Sequence, residues 1–356
     1  MFTPIQVEEI KEHLEKAQNP IFYYDNDADG LCSFVIFRRF LGRGKGVAVR
    51  SFPDLNGSYA RKAQELGADY VFVLDKPVLS KEFVEEIDRL QLPLVWIDHH
   101  QMPIQEFEKE FTQLYVYNPA RNKGEEMSSE PITYWAYKLT RRKEDLWLAI
   151  MGCVADHYLP DFASEFEKEY PEFWGPVRDP FDAYYRTEIG RTAVALNFGL
   201  KDSVTHVVQL QNFLISCKGP GDVLQETPSN YAFRKKYSDV KKKYDDLIKK
   251  AKQGISGSVI FFEYGGELSI SSDIANELSY FYPNRYIVVA YRKDAILNIS
   301  IRGKNVKQIL ENVFKEVEGS GGGHDDAVGA RINSENLEKF KETFEREIEV
   351  YGRNKN

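Results

Sequence analysis

The chain has 356 residues, 42% of them hydrophobic and 29% charged, with a formal net charge of −8. That composition suits a globular protein of two domains, or one large domain with an appendage, and excludes a largely disordered chain. The negative balance also argues against a protein that coats long duplex nucleic acid by bulk attraction, while leaving room for a local basic groove.

The opening MFTPIQVEEIKEHLEK carries acidic residues where a signal segment would be basic and then apolar. No apolar run approaches the roughly 18 to 20 residues that span a bilayer. A cytoplasmic protein with no membrane association is therefore expected. Cys32, Cys153 and Cys217 have no CxxC spacing, so they are expected to be core thiols rather than a disulfide framework or a zinc site.

From residue 20 to 118, short apolar runs alternate with helical patterns: IFYY then LCSFVIFRRFL, GVAVRSF then YARKAQEL, DYVFVLD then KEFVEEIDRL, and finally LPLVWID and LYVYNP. Apolar strands interleaved with amphipathic helices predict a doubly wound, mainly parallel α/β domain. From Ser129 to Lys252 the pattern is mostly helical, through TYWAYKL, LWLAIMGCVAD, the aromatic stretch PEFWGPVRDPFDAYY and a GPGD turn. The aromatic stretch could stack bases, but packing as an insertion or an oligomer contact is the preferred reading. The basic run RKKYSDVKKKYDDLIKKAK, Arg234 to Lys252, reads as the solvated face of a connecting helix or as a guide for a single strand.

After Gly254, strand signals resume in SVIFFEY, ELSI, YIVVAY and ILNISI. The helix VKQILENVFKEV, a glycine-rich loop and a last helix complete a smaller C-terminal α/β or α+β domain. The expected organisation is thus a catalytic core over 1–160, a helical insertion and connector over 161–254, and a substrate-binding domain over 255–356.

Ligands of open parallel sheets bind at the carboxyl ends of the strands, where loops converge and helix amino termini point at the site. Here IFYY runs into DNDADG with Asp25, Asp27 and Asp29, VFVL runs into Asp75, and LVWI runs into Asp98, His99 and His100. Each acid alone would serve as a helix cap or turn residue. Together, crowded carboxylates need a compensating charge, and carboxylates with imidazoles suit Mn²⁺ or Mg²⁺. Asp156 closes GCVAD, and the glycine amides of GSGGGHDDAVG around His324 could cradle a phosphate.

These pieces in this order resemble the DHH phosphoesterase superfamily: DNDADG at 25–30, Asp75, DHHQ at 98–101, GCVAD at 152–156 and GGGHDDAVG at 321–329. SSEPITYW at 128–135 and SIRG at 300–303 add weaker support. DxDADG and GxxAD look most like the RecJ-type branch. The resemblance implies that Asp25, Asp27, Asp75, His99 and Asp156 ligate two divalent ions, Mn²⁺ before Mg²⁺, with Asp75 between them. It also implies that Asp98 orients the neighbouring imidazole and that His100 faces the phosphate. Arg302, Gly322, Gly323 and His324 would grip a neighbouring phosphate or a terminal nucleotide. The sequence departs from the family in having no histidine just upstream of Asp25, in setting Asp75 within LDKP, and in ending SIRG with Gly303.

The expected activity is hydrolysis of single-stranded DNA or RNA ends, or of short oligonucleotides, to 5′-mononucleotides by a two-metal mechanism. One alternative is a phosphatase or phosphodiesterase of small nucleotides such as pAp or linear dinucleotides. The other is a binding scaffold in a replication assembly. A homo-oligomer and a replication or repair protein partner are compatible with these readings.

Overall fold

Strands buried on both faces need apolar side chains on both sides, and IFYY, YVFVL and LVWI supply them. In the computed structural model, which describes residues 1–51, 54–101, 104–122, 130–253, 255 and 257–353, these runs form a parallel sheet. The chain divides into two compact units, 1–238 and 239–356.

The strands of the first unit are β1 (Pro20–Asp25), β2 (Lys45–Val49), β3 (Asp54–Leu55), β4 (Tyr70–Leu74), β5 (Val78–Leu79), β6 (Leu94–Ile97) and β7 (Leu114–Tyr117). Five of them pair, all parallel, in the order β2-β1-β4-β6-β7, while β3 and β5 form a separate pair. The chain leaves β1 for β2 on one side and returns to β4 on the other, so the order reverses between β1 and β4. A crevice outside the strand ends is expected at such a reversal.

Side chains alternate between two cores, as the two-residue period of a strand requires. Phe22, Tyr24, Phe72, Leu74, Val95 and Ile97 pack against the helices Pro4–Lys16, Ala28–Leu41, Ile132–Thr140 and Leu146–Ala155. Ile21, Tyr23, Val71, Val73 and Trp96 pack on the other face, against Ala60–Glu65 and Lys81–Arg89. The first unit is therefore doubly wound, and its three cysteines are buried in these cores. Beyond Asp156 it is helical, and Phe173, Trp174, Val177 and Tyr185 of the aromatic stretch pack onto the first core.

The second unit carries a mixed sheet of β8 (Val259–Gly265), β9 (Tyr286–Lys293), β10 (Ile296–Arg302), β11 (Gly319–His324) and β12 (Ala327–Asn333) in the order β11-β12-β10-β9-β8. Its core lies against the helices Val306–Val313 and Leu337–Arg353. On the helix Tyr231–Gln253, Val240, Tyr244, Ile248 and Ala251 are buried. They recur at helical spacing, and the lysines between them face out.

Two local expectations change. ELSI is not a strand: Ile270 is fully buried, its N–H donates to Tyr264 Oη at 2.7 Å, and the helix Ser271–Phe281 begins immediately after it. The glycines of GSGGGH are not a loop but β11, an edge strand paired antiparallel with β12, where the lack of side chains lets the two backbones approach. Ser128 and Ser129 of SSEPITYW, and Phe52 of GVAVRSF, lie outside the described residues. No described helix is long and apolar enough to cross a membrane.

Candidate metal centre

Register places the chemistry in one row. Tyr24 lies opposite Leu74, Leu74 opposite Ile97, and Ile97 opposite Tyr117. Asp25, the last residue of β1, and Asp75, Asp98 and Asn118, which directly follow β4, β6 and β7, therefore stand along a single edge of the sheet. Asn118 was not singled out in the sequence, although it ends its strand as the aspartates end theirs.

At β1 the chain turns directly into the helix Ala28–Leu41, capped by Asp27, whose Oδ1 accepts the Gly30 N–H at 2.9 Å. The turn is tight enough that a Cβ on Gly30 would lie 2.4 Å from the Asp25 carbonyl oxygen, so glycine is required there. Asp29, the third acid of the stretch, is buried and accepts the N–H groups of Ile132 and Thr133 at 2.9 and 2.8 Å. It thereby caps the helix that begins at Ile132, a charge well placed at a helix amino terminus.

Asp75 is buried and sits at φ 57°, the left-handed region that non-glycine residues seldom occupy. Its N–H donates to the Ile97 carbonyl at 3.0 Å, continuing the sheet ladder. Its Oδ1 lies 3.2 Å from His99 Nε2 and 3.9 Å from His100 Nδ1 but has no hydrogen-bond partner among the described residues. The same His99 Nε2 is 3.7 Å from Asp156 Oδ2. Asp156 ends the helix Leu146–Ala155, which is drawn close by Gly152; a Cβ there would meet Thr133 Oγ1 at 2.3 Å. Two sets of three donor groups come within 4.8 Å of one another, Asp75 with His99 and His100, and Asp29 with His99 and Asp156. A buried carboxylate oxygen without a donor, facing an imidazole nitrogen and a second carboxylate, fits a divalent cation.

Asp98 serves His100 rather than the adjacent His99. Its Oδ1 is 2.8 Å from His100 Nδ1, while its Oδ2 accepts the His100 backbone N–H at 2.9 Å and Asn118 Nδ2 at 3.0 Å. Asn118 also donates to the His100 carbonyl at 2.9 Å, which fixes this stretch of chain.

The electrostatics follow from burial and crowding. Burial first, then Asp25 and Asp29, push Asp27 up to about 7. Burial, with Asp29 and Asp27 behind it, holds Asp75 well above the usual carboxylate range. Burial and the neighbouring His100 lower His99, which favours the neutral imidazole that a metal needs. For His100, burial works against protonation, but the Asp98 hydrogen bond and charge outweigh it and raise the ring to about 9.

One cation is already present. Lys76, which the sequence offered only as the unusual LDKP context, is fully buried. Its Nζ lies 3.0 Å from Asp25 Oδ1 and 2.8 Å from the Ser51 carbonyl.

In the second unit, Arg302 and His324 both lie opposite Ala327, one on each side of β12. That places them two strand spacings apart, about 10 Å, at one end of the sheet. Arg302 Nε donates to Asn276 Oδ1 at 2.6 Å. Gly322, Gly323 and His324 are exposed on the edge strand.

The model of the DHH family N-terminal domain matches residues 21–156, and the DHHA1 domain model matches residues 254–350. A comparison with curated proteins finds no match. Among solved structures, the chain is similar to RecJ in complex with Mn²⁺ from Thermus thermophilus, at 13% identity and a TM-score of 0.60. That alignment covers 97% of this chain and 55% of that one, so the chain spans about half the length of that RecJ. It is also similar to an exonuclease RecJ bound to manganese, with 14% identity, a TM-score of 0.62, and 97% and 94% of the two chains covered. A pGpG-specific phosphodiesterase, PggH, from Vibrio cholerae aligns at 12% identity and a TM-score of 0.52, covering 94% of this chain and 99% of that one. At these identities the likeness establishes the fold.

Proposed function

The chain belongs to the DHH phosphoesterase superfamily with a RecJ-like architecture, and we propose that it is a Mn²⁺-dependent phosphodiesterase releasing 5′-mononucleotides from single-stranded nucleic acid ends or short oligonucleotides. The observation that carries this reading is the Asp75 oxygen, without a hydrogen-bond partner among the described residues, that faces His99 Nε2 together with Asp156. Asp27, Asp75, His99 and Asp156 are the donors for the cation, with Mg²⁺ as the alternative ion. Asp25, the fifth expected ligand, is already paired with Lys76. A bound divalent ion supplies positive charge for phosphoryl oxygens and a lowered pKa for water.

The chain's own residues do the rest. Neutral His99 offers Nε2 as a ligand. Protonated His100, held through Nδ1 by Asp98, turns its remaining N–H towards a phosphoryl oxygen and stabilises the charge that develops there. In the second unit we assign Arg302, Gly322, Gly323 and His324 to phosphate contacts, with backbone N–H groups of an edge strand as donors. The division into a catalytic core over 1–160, a connector over 161–254 and a substrate domain over 255–356 belongs to the same proposal.

The likeness to a pGpG-specific phosphodiesterase favours one second reading, hydrolysis of very short nucleotides. The two separate by chain length. With Mn²⁺ and an end-labelled series from pAp and a dinucleotide to a 20-mer in DNA and RNA, the first reading expects turnover to rise with length and to fall steeply with salt. Activity confined to the two shortest substrates establishes the second. Equal inactivity of wild type and Asp75→Ala across the series refutes both.

A further inference from the structure

We propose, resting on the phosphoesterase reading above, that Lys76 is a built-in cation occupying the place of one metal ion, so that the site takes a single divalent ion on the His99 side. Three observations lead there. Lys76 is wholly buried, and its ammonium is fixed at both ends of its reach, by Asp25 Oδ1 at 3.0 Å and the Ser51 carbonyl at 2.8 Å. Its backbone is anchored as well, since its carbonyl accepts the Trp96 indole N–H at 2.7 Å. Finally, the donor groups that converge within 4.8 Å of one another all gather on His99; among the described residues neither set includes Asp25 or Asp27, and of these two Asp25 is the one paired with Lys76.

The physical conflict is direct. A divalent ion held by Asp25 would sit about 2.1 Å from a carboxylate oxygen. The ammonium is 3.0 Å from Oδ1 of that carboxylate. In a buried setting a doubly charged ion and a fixed ammonium that close repel strongly. Asp25 is then neutralised by protein charge. The chain also has Tyr23 and Tyr24, not a histidine, just before Asp25, so this side lacks an imidazole donor from β1 that could compete for a metal. A fixed ammonium supplies positive charge without needing an ion from solution, but it cannot lower the pKa of a bound water as a divalent ion does. Water activation is therefore confined to the His99 side.

The experiment is a Mn²⁺ titration of the full chain, following the EPR signal of unbound Mn²⁺, with frozen-solution spectra to detect pairs of nearby ions. Wild type is expected to bind one Mn²⁺ with a single-ion spectrum. Lys76→Met and Lys76→Gln, each first checked for a cooperative thermal transition, are expected to bind two and to show a dipolar-coupled pair. Two coupled ions in wild type overturn the inference while leaving the phosphoesterase reading intact. Folded variants that still take only one ion do the same. A wild type that binds no Mn²⁺ overturns the inference and the phosphoesterase reading together.

Discussion

The Asp25 side and the His99 side of the cluster are built from the same kinds of residue at the ends of neighbouring strands, yet they are electrically different. On the Asp25 side, a buried lysine already neutralises the carboxylate. On the His99 side, Asp75 keeps a buried oxygen without a hydrogen-bond donor among the described residues, and the imidazole is disposed to be neutral. Crowded carboxylates can thus be balanced in two ways in one site. A fixed ammonium gives permanent charge at the cost of a ligand position, and an exchangeable ion gives charge together with Lewis acidity.

The largest effect tests the ion-binding side. Asp75→Ala is expected to abolish Mn²⁺ binding and to lower kcat by on the order of 10³-fold, the scale of losing a principal electrostatic contact. Retained binding of one Mn²⁺ with wild-type affinity would remove Asp75 from the ligand set and break the comparison.

Two substitutions to asparagine sharpen it. Asp156→Asn is expected to weaken Mn²⁺ binding by roughly 10- to 100-fold with little change in thermal stability, because the carboxylate is substantially exposed. Asp25→Asn is expected to do the reverse. Mn²⁺ affinity should stay within about threefold, while the fold loses about 2 kcal/mol because the buried ammonium loses its carboxylate, less than for a fully buried pair since Asp25 is partly open to water. Equal metal effects from both would mean that the two sides are alike. Isothermal titration alongside thermal unfolding measures each pair of quantities.

The third effect concerns the proton on His100. Asp98→Asn removes the charged acceptor that raises the ring to about 9, so its titration should move down towards the ordinary range near 6.5. The rate should fall by roughly tenfold, and the alkaline limb of the pH profile should shift to lower pH. An unmoved alkaline limb would show that another group sets it.

Much of this was legible in the sequence, for identifiable reasons. Strand ends can be read because apolar runs are short and sharply bounded, so Asp25, Asp75 and Asp98 could be placed on one edge from the residues alone. Asp156 needed the motif GCVAD, since a residue at the end of a helix has no sequence signal tying it to a distant sheet. Lys76 and Asn118 were missed for different causes. Asn118 followed the same strand-end rule but bears no charge, whereas Lys76 is buried next to Asp75, whose left-handed conformation a single sequence does not announce. The glycines of β11 lacked strand propensity, and only the partner strand β12 makes them a strand.

The smallest effect follows from the same charges in the metal-free protein. Asp27 titrates at about 7 in the fold against an ordinary value near 3.8, and a carboxyl whose pKa is raised by folding contributes stability that is lost as the pH rises through the raised value. His100, raised to about 9 from near 6.5, acts in the same direction, since its contribution is present below 6.5 and is lost as the pH rises through 9. Asp75, buried and shifted upward, adds to the trend. The Tm of the metal-free protein should therefore fall by about 3 °C for each kcal/mol lost between pH 6 and pH 9, for a unit of this size. Saturating Mn²⁺ should flatten that slope, because coordination stabilises the ionised carboxylates on the His99 side that otherwise favour a proton. The charge of Asp25 helps to raise both Asp27 and Asp75, so Asp25→Asn should reduce the pH slope of Tm as well as lowering Tm itself. A slope unchanged in Asp25→Asn would show that Asp25 does not act on the protons of its neighbours.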